Sequence, residues 1–265
     1  MGERDEIDIR ECTTVEEFDQ CVRLQREAFG LPELELSPRR HLIVARSAGG
    51  FTLGAFDGGR MVGFVLNQLA ARRSPGGGAE ETIGYSHMMA VAKDYQNRGV
   101  GARLKWAQRA RVVAEGRRFI RWTWDPVQAR NAHFNLNRLG VFVRSYAENY
   151  YGTDYSTVTG KFGEPPGLDS DRLVAEWELD SPRVEALARG EAPGPWGEPD
   201  AAVAIPTNWG ALVREDPSAA RSELLRVRAE FRAATAAGLV CAAFERDPAR
   251  PRYLFFDGSK LKVQS

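Results

Sequence analysis

Two glycines placed two residues apart, Gly99 and Gly101, are the residues of this sequence best suited to chemistry. A run that predicts a strand precedes them, and a run with helical spacing follows them. The first N–H groups of a helix have no partner within the helix, and they carry the positive end of its dipole. Because glycine has no Cβ, the backbone can approach a ligand closely there. The segment therefore predicts an anion site, most often one for a phosphate.

Two common phosphate-binding motifs do not fit this segment. A Walker loop requires Gly-Lys-Ser or Gly-Lys-Thr at its end, and Gly101 is followed by Ala102 and Arg103. The dinucleotide-binding fingerprint requires a third small residue at position 104, which is Leu104. What remains is the pattern Gln-x-x-Gly-x-Gly, which begins at Gln96.

A tyrosine and a histidine on the preceding strand are candidates for proton transfer. Strand alternation predicts that Tyr85 and His87 share a face with Met89 and Val91. The ordinary imidazole pKa suits a general base near neutral pH. Two other interpretations of His87 stay open: a buried histidine hydrogen-bonded within the core, and a contact to an acceptor substrate. The other two histidines lie in helical contexts, which favour a structural or surface role.

Local patterns predict the elements that position these residues. Thr13 or Thr14 can cap a first helix, Ser37 before Pro38 predicts the start of a second, and two glycines after Asp57 predict a hairpin. The predicted helices are 15–29, 38–46 and 100–114, the predicted strands are 7–10, 51–56, 61–69, 83–91 and 119–124, and a loop is predicted over 71–81.

The second half of the chain predicts two further strands, 141–146 and 172–179, with a tyrosine-rich loop between them. The tyrosines of that loop predict either an aromatic lid on the core or the wall of an acceptor pocket. They are Tyr146, Tyr150, Tyr151 and Tyr155.

Residues 181–200 contain four prolines and three glycines, which predict a linker. A β-α-β-β pattern over 201–265 predicts a small C-terminal α/β module that serves as a cover or as a homodimer contact. The predicted organisation is therefore a domain over 1–180, the linker, and this extension.

The pattern that begins at Gln96, together with the strand before it, resembles the acyl-CoA signature of the GNAT N-acetyltransferase superfamily. Residues 131–140 resemble the next helix of that family, since Asn131 matches its early asparagine and Gly140 the glycine near its end. The resemblance covers about residues 7–180, and the chain is similar to a bacterial branch of the superfamily. It implies an α/β fold (α+β in some schemes) with a mixed central sheet, splayed parallel strands and flanking helices.

The resemblance also implies the ligand, acetyl-CoA, which serves as co-substrate without a metal. In the family the loop N–H groups hold the CoA pyrophosphate and the preceding strand pairs with the pantetheine arm. The cofactor-binding residues implied in this way are Met89, Ala90, Val91, Gln96, Asn97, Arg98, Gly99, Val100, Gly101, Ala102, Asn131 and Phe134.

The helix after the glycines is predicted to divide its residues among three roles. Arg98 and Arg103 are placed to meet CoA phosphates, whereas Lys105 and the later basic residues are assigned to a solvated face. Apolar positions at helical spacing predict the buried face. They are Val100, Leu104, Ala107, Ala110, Val113 and Ala114.

One position departs from the family pattern. Many relatives carry a tyrosine that protonates the departing CoA thiolate four residues before Gly140, and this chain has Leu136 there. Tyr146 and Tyr150 are the candidates to replace it. The chain is therefore expected to acylate an amine of a small molecule or protein, with His87 or Tyr85 near the base position. The alternative is a non-catalytic protein that binds or senses CoA.

Composition limits the class of protein further. The 36 Lys and Arg balance the 36 Asp and Glu, so no net field draws the chain to nucleic acid or a membrane. Three cysteines form neither a metal-ligand spacing nor an even disulfide set. The charged N-terminus has no signal-peptide core, and no apolar run is long enough to span a bilayer. These features predict a cytoplasmic protein.

Overall fold

The computed structural model describes residues 7–30, 33–73, 80–153 and 167–262. The chain divides into two compact units, Met1–Arg121 and Trp122–Ser265. This boundary lies within a strand, and it does not coincide with the predicted division at residues 180 and 200.

The first unit is built on a mixed sheet with the strand order β1-β2-β3-β4-β5. Its strands are β1 (Asp8–Glu11), β2 (Phe51–Asp57), β3 (Arg60–Arg73), β4 (Glu80–Val91) and the first part of β5 (Phe119–Trp124). The pairs from β1 to β4 are antiparallel, whereas β4 and β5 are parallel, with Gly84 opposite Ile120 and Tyr85 opposite Arg121. The mixed α/β fold expected from the sequence is confirmed.

Helices cover both faces of this sheet. They are α1 (Val15–Phe29), α2 (Arg39–Ser47) and α3 (Val100–Ala114). A Cβ on Gly63 of β3 would meet Leu104 of α3 at 3.0 Å. The side chain of Gln68, five residues further along β3, contacts His41 of α2. Since residues of opposite parity on β3 contact α3 and α2, these two helices lie on opposite faces.

Local signals set the ends of the first helices. Thr14 caps α1 through a capping box with Glu17, and Gly30 ends the helix with φ 63°, so the predicted bounds are confirmed. The start of α2 differs by one position, because Pro38 is the N-cap residue and its helix begins at Arg39. Ser37 does not cap this helix; its backbone N–H donates to Gln25 Oε1 at 2.9 Å.

The hairpin between β3 and β4 is longer than predicted. Arg72 and Arg73 pair in register with Glu81 and Glu80, and the Arg72 guanidinium also lies 3.8 Å from the centre of the Phe119 ring. These cross-strand charge pairs extend the strands into both ends of the predicted loop. Residues 74–79 of that loop lie outside the described residues.

The second unit contains strands in the order β5-β7-β6-β9-β10-β8, and the neighbouring pairs from β7 to β8 in this order are antiparallel. Its further strands are β6 (Phe142–Ala147), β7 (Arg172–Glu178), β8 (Ala201–Ala204), β9 (Leu239–Glu245) and β10 (Arg252–Asp257). Its helices are α4 (Ala129–His133), continued by a π-helical turn (Phe134–Arg138), α5 (Pro182–Ala188), α6 (Trp209–Glu215), α7 (Pro217–Ala236) and α8 (Gly258–Lys262). The predicted β-α-β-β pattern is confirmed, with α6 and α8 as additions.

The proline-rich segment is packed into this second unit. It forms α5, and Trp196 near its end is 8% exposed. The Trp196 indole donates to the Ala242 carbonyl at 3.2 Å and lies against Phe142 and Phe256. Apolar packing therefore fixes a segment whose composition predicts a linker.

Candidate functional site

The segment between β4 and α3 combines a short 3₁₀ turn with two left-handed residues. Tyr95, which ends the turn, is buried and donates to the Asp57 carboxylate. The Gln96 side chain reaches back and donates to the Val91 carbonyl at 3.2 Å. Asn97 and Gly99 then adopt φ values of 64° and 83°. Gln96 thereby ties the turn to the end of β4.

The first turn of α3 is open to an anion. Gly99 is its N-cap and has no side chain to accept from the first N–H groups, and no acidic residue lies in the first turn. Glycine at 99 is explained by the positive φ. Gly101 has no positive φ, and a Cβ there would make only ordinary contacts, with Met89 Cε at 3.5 Å and Val91 Cγ2 at 3.8 Å. The N-terminus of α3 therefore carries no side-chain cap, and such a helix end favours an anion.

The arginines around this turn have partners within the protein. Arg98 lies 5.0 Å from the centre of the Tyr95 ring, and exposed Arg103 donates to the Ile7 carbonyl. Arg111 forms ion pairs with Glu11 and Glu115.

The predicted buried face of α3 is wrong in part. Val113 is 42% exposed and Ala110 is also exposed, whereas Lys105 is only 3% exposed. The residues that α3 buries are Val100, Leu104, Lys105, Gln108 and Val112. Lys105 stands three and seven residues before Gln108 and Val112, a spacing that places it on their face and could have revealed its burial.

Lys105 belongs to a buried polar network that ties α3 to the sheet. Its ammonium donates to Ser86 Oγ at 2.7 Å and to Gln108 Oε1 at 3.2 Å. Gln108 Nε2 in turn donates to Asn67 Oδ1 at 2.9 Å. Burial lowers the pKa of Lys105 to about 7, because desolvation disfavours the charged form.

A β-bulge overturns the predicted alternation along β4. Asn67 pairs with Ser86 but Leu66 pairs with Met88, so His87 is the extra residue. On one side of the bulge Ser86 faces α3, and on the other side Met89 does. The faces of the two halves are thus exchanged at His87.

Tyr85 and His87 therefore lie on the face opposite to Met89 and Val91. Tyr85 stands opposite Gln68, whose side-chain nitrogen is 2.8 Å from His41 Nε2 on α2. The rings of His41 and His87 meet edge to face, with centroids 5.5 Å apart. Burial, and then the proximity of His41, lower the pKa of His87. His41 was not a candidate on sequence grounds, since no local pattern connects α2 to β4.

The candidates of the second unit lie on α4 and its π-helical continuation. Asn131 is exposed and Phe134 is half-buried. Leu136, at the position where relatives carry tyrosine, is fully buried. Asn137 exchanges hydrogen bonds with the backbone of Phe244 at 2.9 and 3.1 Å, which fixes the turn to β9.

The two tyrosines proposed for proton donation differ in environment. Tyr146 donates its hydroxyl to Asp171 at 2.5 Å, and burial and this carboxylate raise its pKa. Tyr150 is 48% exposed and lies edge-on to Tyr151, with ring centres 4.7 Å apart. Tyr155 lies outside the described residues.

Part of the chain matches the model of a known protein family. Residues 17–140 match the family model described as the acetyltransferase (GNAT) family. A search of curated proteins found no significant match.

Solved structures of acetyltransferases are similar to the chain at low sequence identity. The ribosomal-protein-S18-alanine N-acetyltransferase from Escherichia coli is 14% identical, with 65% of this chain and 94% of that one covered and a TM-score of 0.50. A GNAT family acetyltransferase from Elizabethkingia anophelis with acetyl-CoA bound is 15% identical, covering 66% and 99%, with a TM-score of 0.47. The acetyltransferase of GNAT family from Streptococcus pneumoniae is 19% identical, covering 64% and 98%, with a TM-score of 0.47.

Proposed function

From the match of residues 17–140 to the acetyltransferase (GNAT) family model, we propose that the chain transfers an acetyl group from acetyl-CoA directly to an amine. The acceptor is an amine of a small molecule or of a protein. The observation that carries the proposal is the first turn of α3, where the N-cap Gly99 offers no side-chain cap and no acidic residue lies in the first turn.

The proposed contacts follow the loop and the strand before it. Backbone N–H groups of residues 96–102 hold the pyrophosphate, and residues 89–91 of β4 pair with the pantetheine arm. The family resemblance implies Asn131 and Phe134 as further CoA-binding residues. Acetyl-CoA supplies an activated acyl group as a thioester; the protein aligns it with the amine, which removes much of the entropic barrier.

Two groups of β4 are proposed to take part in the transfer. A backbone N–H near Met89 or Val91 donates to the oxygen on which negative charge develops. His87 takes the proton that the amine loses, directly or through a water. Burial keeps His87 neutral near pH 7, the form that can accept this proton.

Replacement of Gly101 by valine tests the binding site. The added side chain lies beside Met89 and Val91 in the first turn of α3, where it should keep a pyrophosphate from the backbone N–H groups. Loss of one hydrogen bond to a charged group costs about 1.5–3 kcal/mol, so acetyl-CoA affinity measured by calorimetry should fall at least about tenfold. The matched control is Gly194→Val, because nothing lies within 4 Å of a Cβ there. Unchanged affinity in a folded Gly101→Val protein contradicts the site.

Replacement of His87 by glutamine tests the proposed base. An acceptor panel read by release of free CoA thiol first identifies a substrate. His87→Gln should then lower kcat by a factor of about 10²–10⁴ at neutral pH and recover partly at alkaline pH. If the variant keeps the rate and the pH profile of the parent, His87 is a structural residue and not the base. Tight acetyl-CoA binding without thiol release for any acceptor would favour the non-catalytic sensing protein, which Leu136 also favours.

A further inference from the structure

The bulge of β4 presents His87 to a second histidine. His41 on α2 approaches it edge to face with ring centroids 5.5 Å apart and an interplanar angle of 85°. The Gln68 side chain on β3 lies 2.8 Å from His41 Nε2. Three elements that are distant in sequence therefore converge on one imidazole.

The polar groups around His87 come from each element packed against this face. On β4 itself the neighbour is Tyr85, on β3 it is Gln68, and on β5 it is Arg121, the register partner of Tyr85. Helix α2 contributes His41. Helix α1 also packs against β4, and its buried ionisable groups are Glu17, which is paired with Arg10, and Cys21. Among these groups His41 is the one whose charge acts on His87.

We infer that His41 is a positioning residue for His87: together with Gln68 it holds the His87 imidazole and keeps it in the neutral, proton-accepting form. This inference rests on the proposed role of His87 as general base. The hydrogen bond from Gln68 orients the His41 ring, and the edge-to-face contact orients the ring of His87. His41 does not itself touch the reacting atoms in this scheme.

Electrostatic repulsion between the two rings predicts the direction in which the titration of His87 should change when His41 is removed. Two imidazolium rings at this distance repel each other, so the second proton is bound at a lower pH than the first. Removal of His41 should therefore raise the pH at which His87 titrates. Coulomb's law for 5.5 Å predicts a rise of about half a pH unit at the dielectric constant of water, and a larger one at the lower effective value near a protein surface.

The experiment is an NMR titration of the full chain, whose three histidines give few signals to assign. His41→Phe keeps an aromatic ring against His87 and removes the charge. His41→Gln provides a second neutral variant that can still hydrogen-bond to Gln68, should the first fail to fold. We expect the His87 midpoint to rise by about half a pH unit or more in either variant. His133→Gln, in the second unit, should leave it unchanged.

A kinetic measurement separates coupling from an indirect structural effect. With a known acceptor, the acidic limb of the kcat/KM profile should move to higher pH in His41→Gln. The inference is overturned if the titration midpoint of His87 does not change in the His41 variants. It is also overturned if the rate falls in His41→Gln while the acidic limb of the kcat/KM profile stays at the parental pH. The titration needs neither acetyl-CoA nor an acceptor, so failure of the parent to bind acetyl-CoA would contradict only the proposed function.

Discussion

At the scale of single residues, Lys105 links burial to a measurable pH dependence. A fully buried lysine with a pKa of about 7 binds fewer protons than the same lysine in the unfolded chain, whose ordinary value is 10.5. Stability rises with pH wherever the unfolded state binds more protons. Because of Lys105, the free energy of unfolding is therefore greatest above pH 10.5 and decreases as the pH falls towards 7.

Replacement of Lys105 by methionine should remove this rise. Ser86 and Gln108 each lose a donor, which changes the free energy of unfolding at every pH. The slope of this free energy against pH reports only the proton that Lys105 binds. Urea unfolding between pH 7 and 10 should show the parent gaining at most about 1.4 kcal/mol per pH unit more than the variant. Lys93→Met, at an exposed lysine, is the matched control and should keep the parental slope. Equal slopes for parent and Lys105→Met would show that the buried lysine keeps its proton.

At the scale of elements, the bulge in β4 and the start of α3 decide what the site can present. The bulge places His87 on the α2 face while Met89 and Val91 stay beside Gly101. One strand thereby places Met89 and Val91 on the α3 face and the His87 imidazole on the opposite face. The Lys105 network holds Ser86, the residue next to the bulge, against α3.

Asp169 and Asp171, which lie just before β7, join an ion-pair cluster that contacts Tyr146. Arg228 of α7 donates to Asp171 and Asp169 at 2.7 Å each, and Asp171 is only 1% exposed. The Tyr146 hydroxyl donates into this cluster, and its raised pKa makes it a poorer acid. Of the two proposed donors, Tyr150 is therefore the one we favour, and it is 48% exposed.

Phenylalanine substitutions separate the roles of these two tyrosines. Tyr146→Phe removes a hydrogen bond to a carboxylate, so the free energy of unfolding should fall by about 1.5–3 kcal/mol, with kcat nearly kept. If a tyrosine protonates the thiolate, Tyr150→Phe should lower kcat while acetyl-CoA affinity is kept. The measurements are urea unfolding, turnover and calorimetry. Full kcat in both variants would leave solvent as the donor and contradict the tyrosine proposal.

At the scale of the whole molecule, charge balance predicts behaviour in solution. The chain has 36 basic and 36 acidic residues and a sequence pI near 6.9. Proteins with a net charge near zero associate and precipitate more readily. Solubility should therefore be lowest near pH 7 and rise by pH 8.5, as precipitation at low ionic strength can measure. Solubility that falls steadily between these values would contradict the prediction.

The functional division of the chain stays a prediction at this scale. The boundary between the two compact units falls between residues 121 and 122. The sequence instead predicts a catalytic domain over 1–180 and an extension from 201. No helix within the described ranges is long and apolar enough to cross a membrane. A homodimer through the C-terminal segment also stays a prediction.

The sequence by itself determined the elements that depend on neighbouring residues. Thr14 and Gly30 bound α1, Gly58 and Gly59 form the hairpin, and Gly99 begins α3, because caps, turns and glycine conformations are local. The uncapped first turn of α3 follows from the same local rules.

The tertiary structure alone decided which side chains meet. Alternation predicted His87 beside Met89, but the bulge moved it to the other face, because strand register depends on the partner strand. The burial of Lys105 and the approach of His41 likewise join residues from different elements. Local sequence patterns do not predict such pairings, since the pairings arise only when the helices pack on the two faces of the sheet.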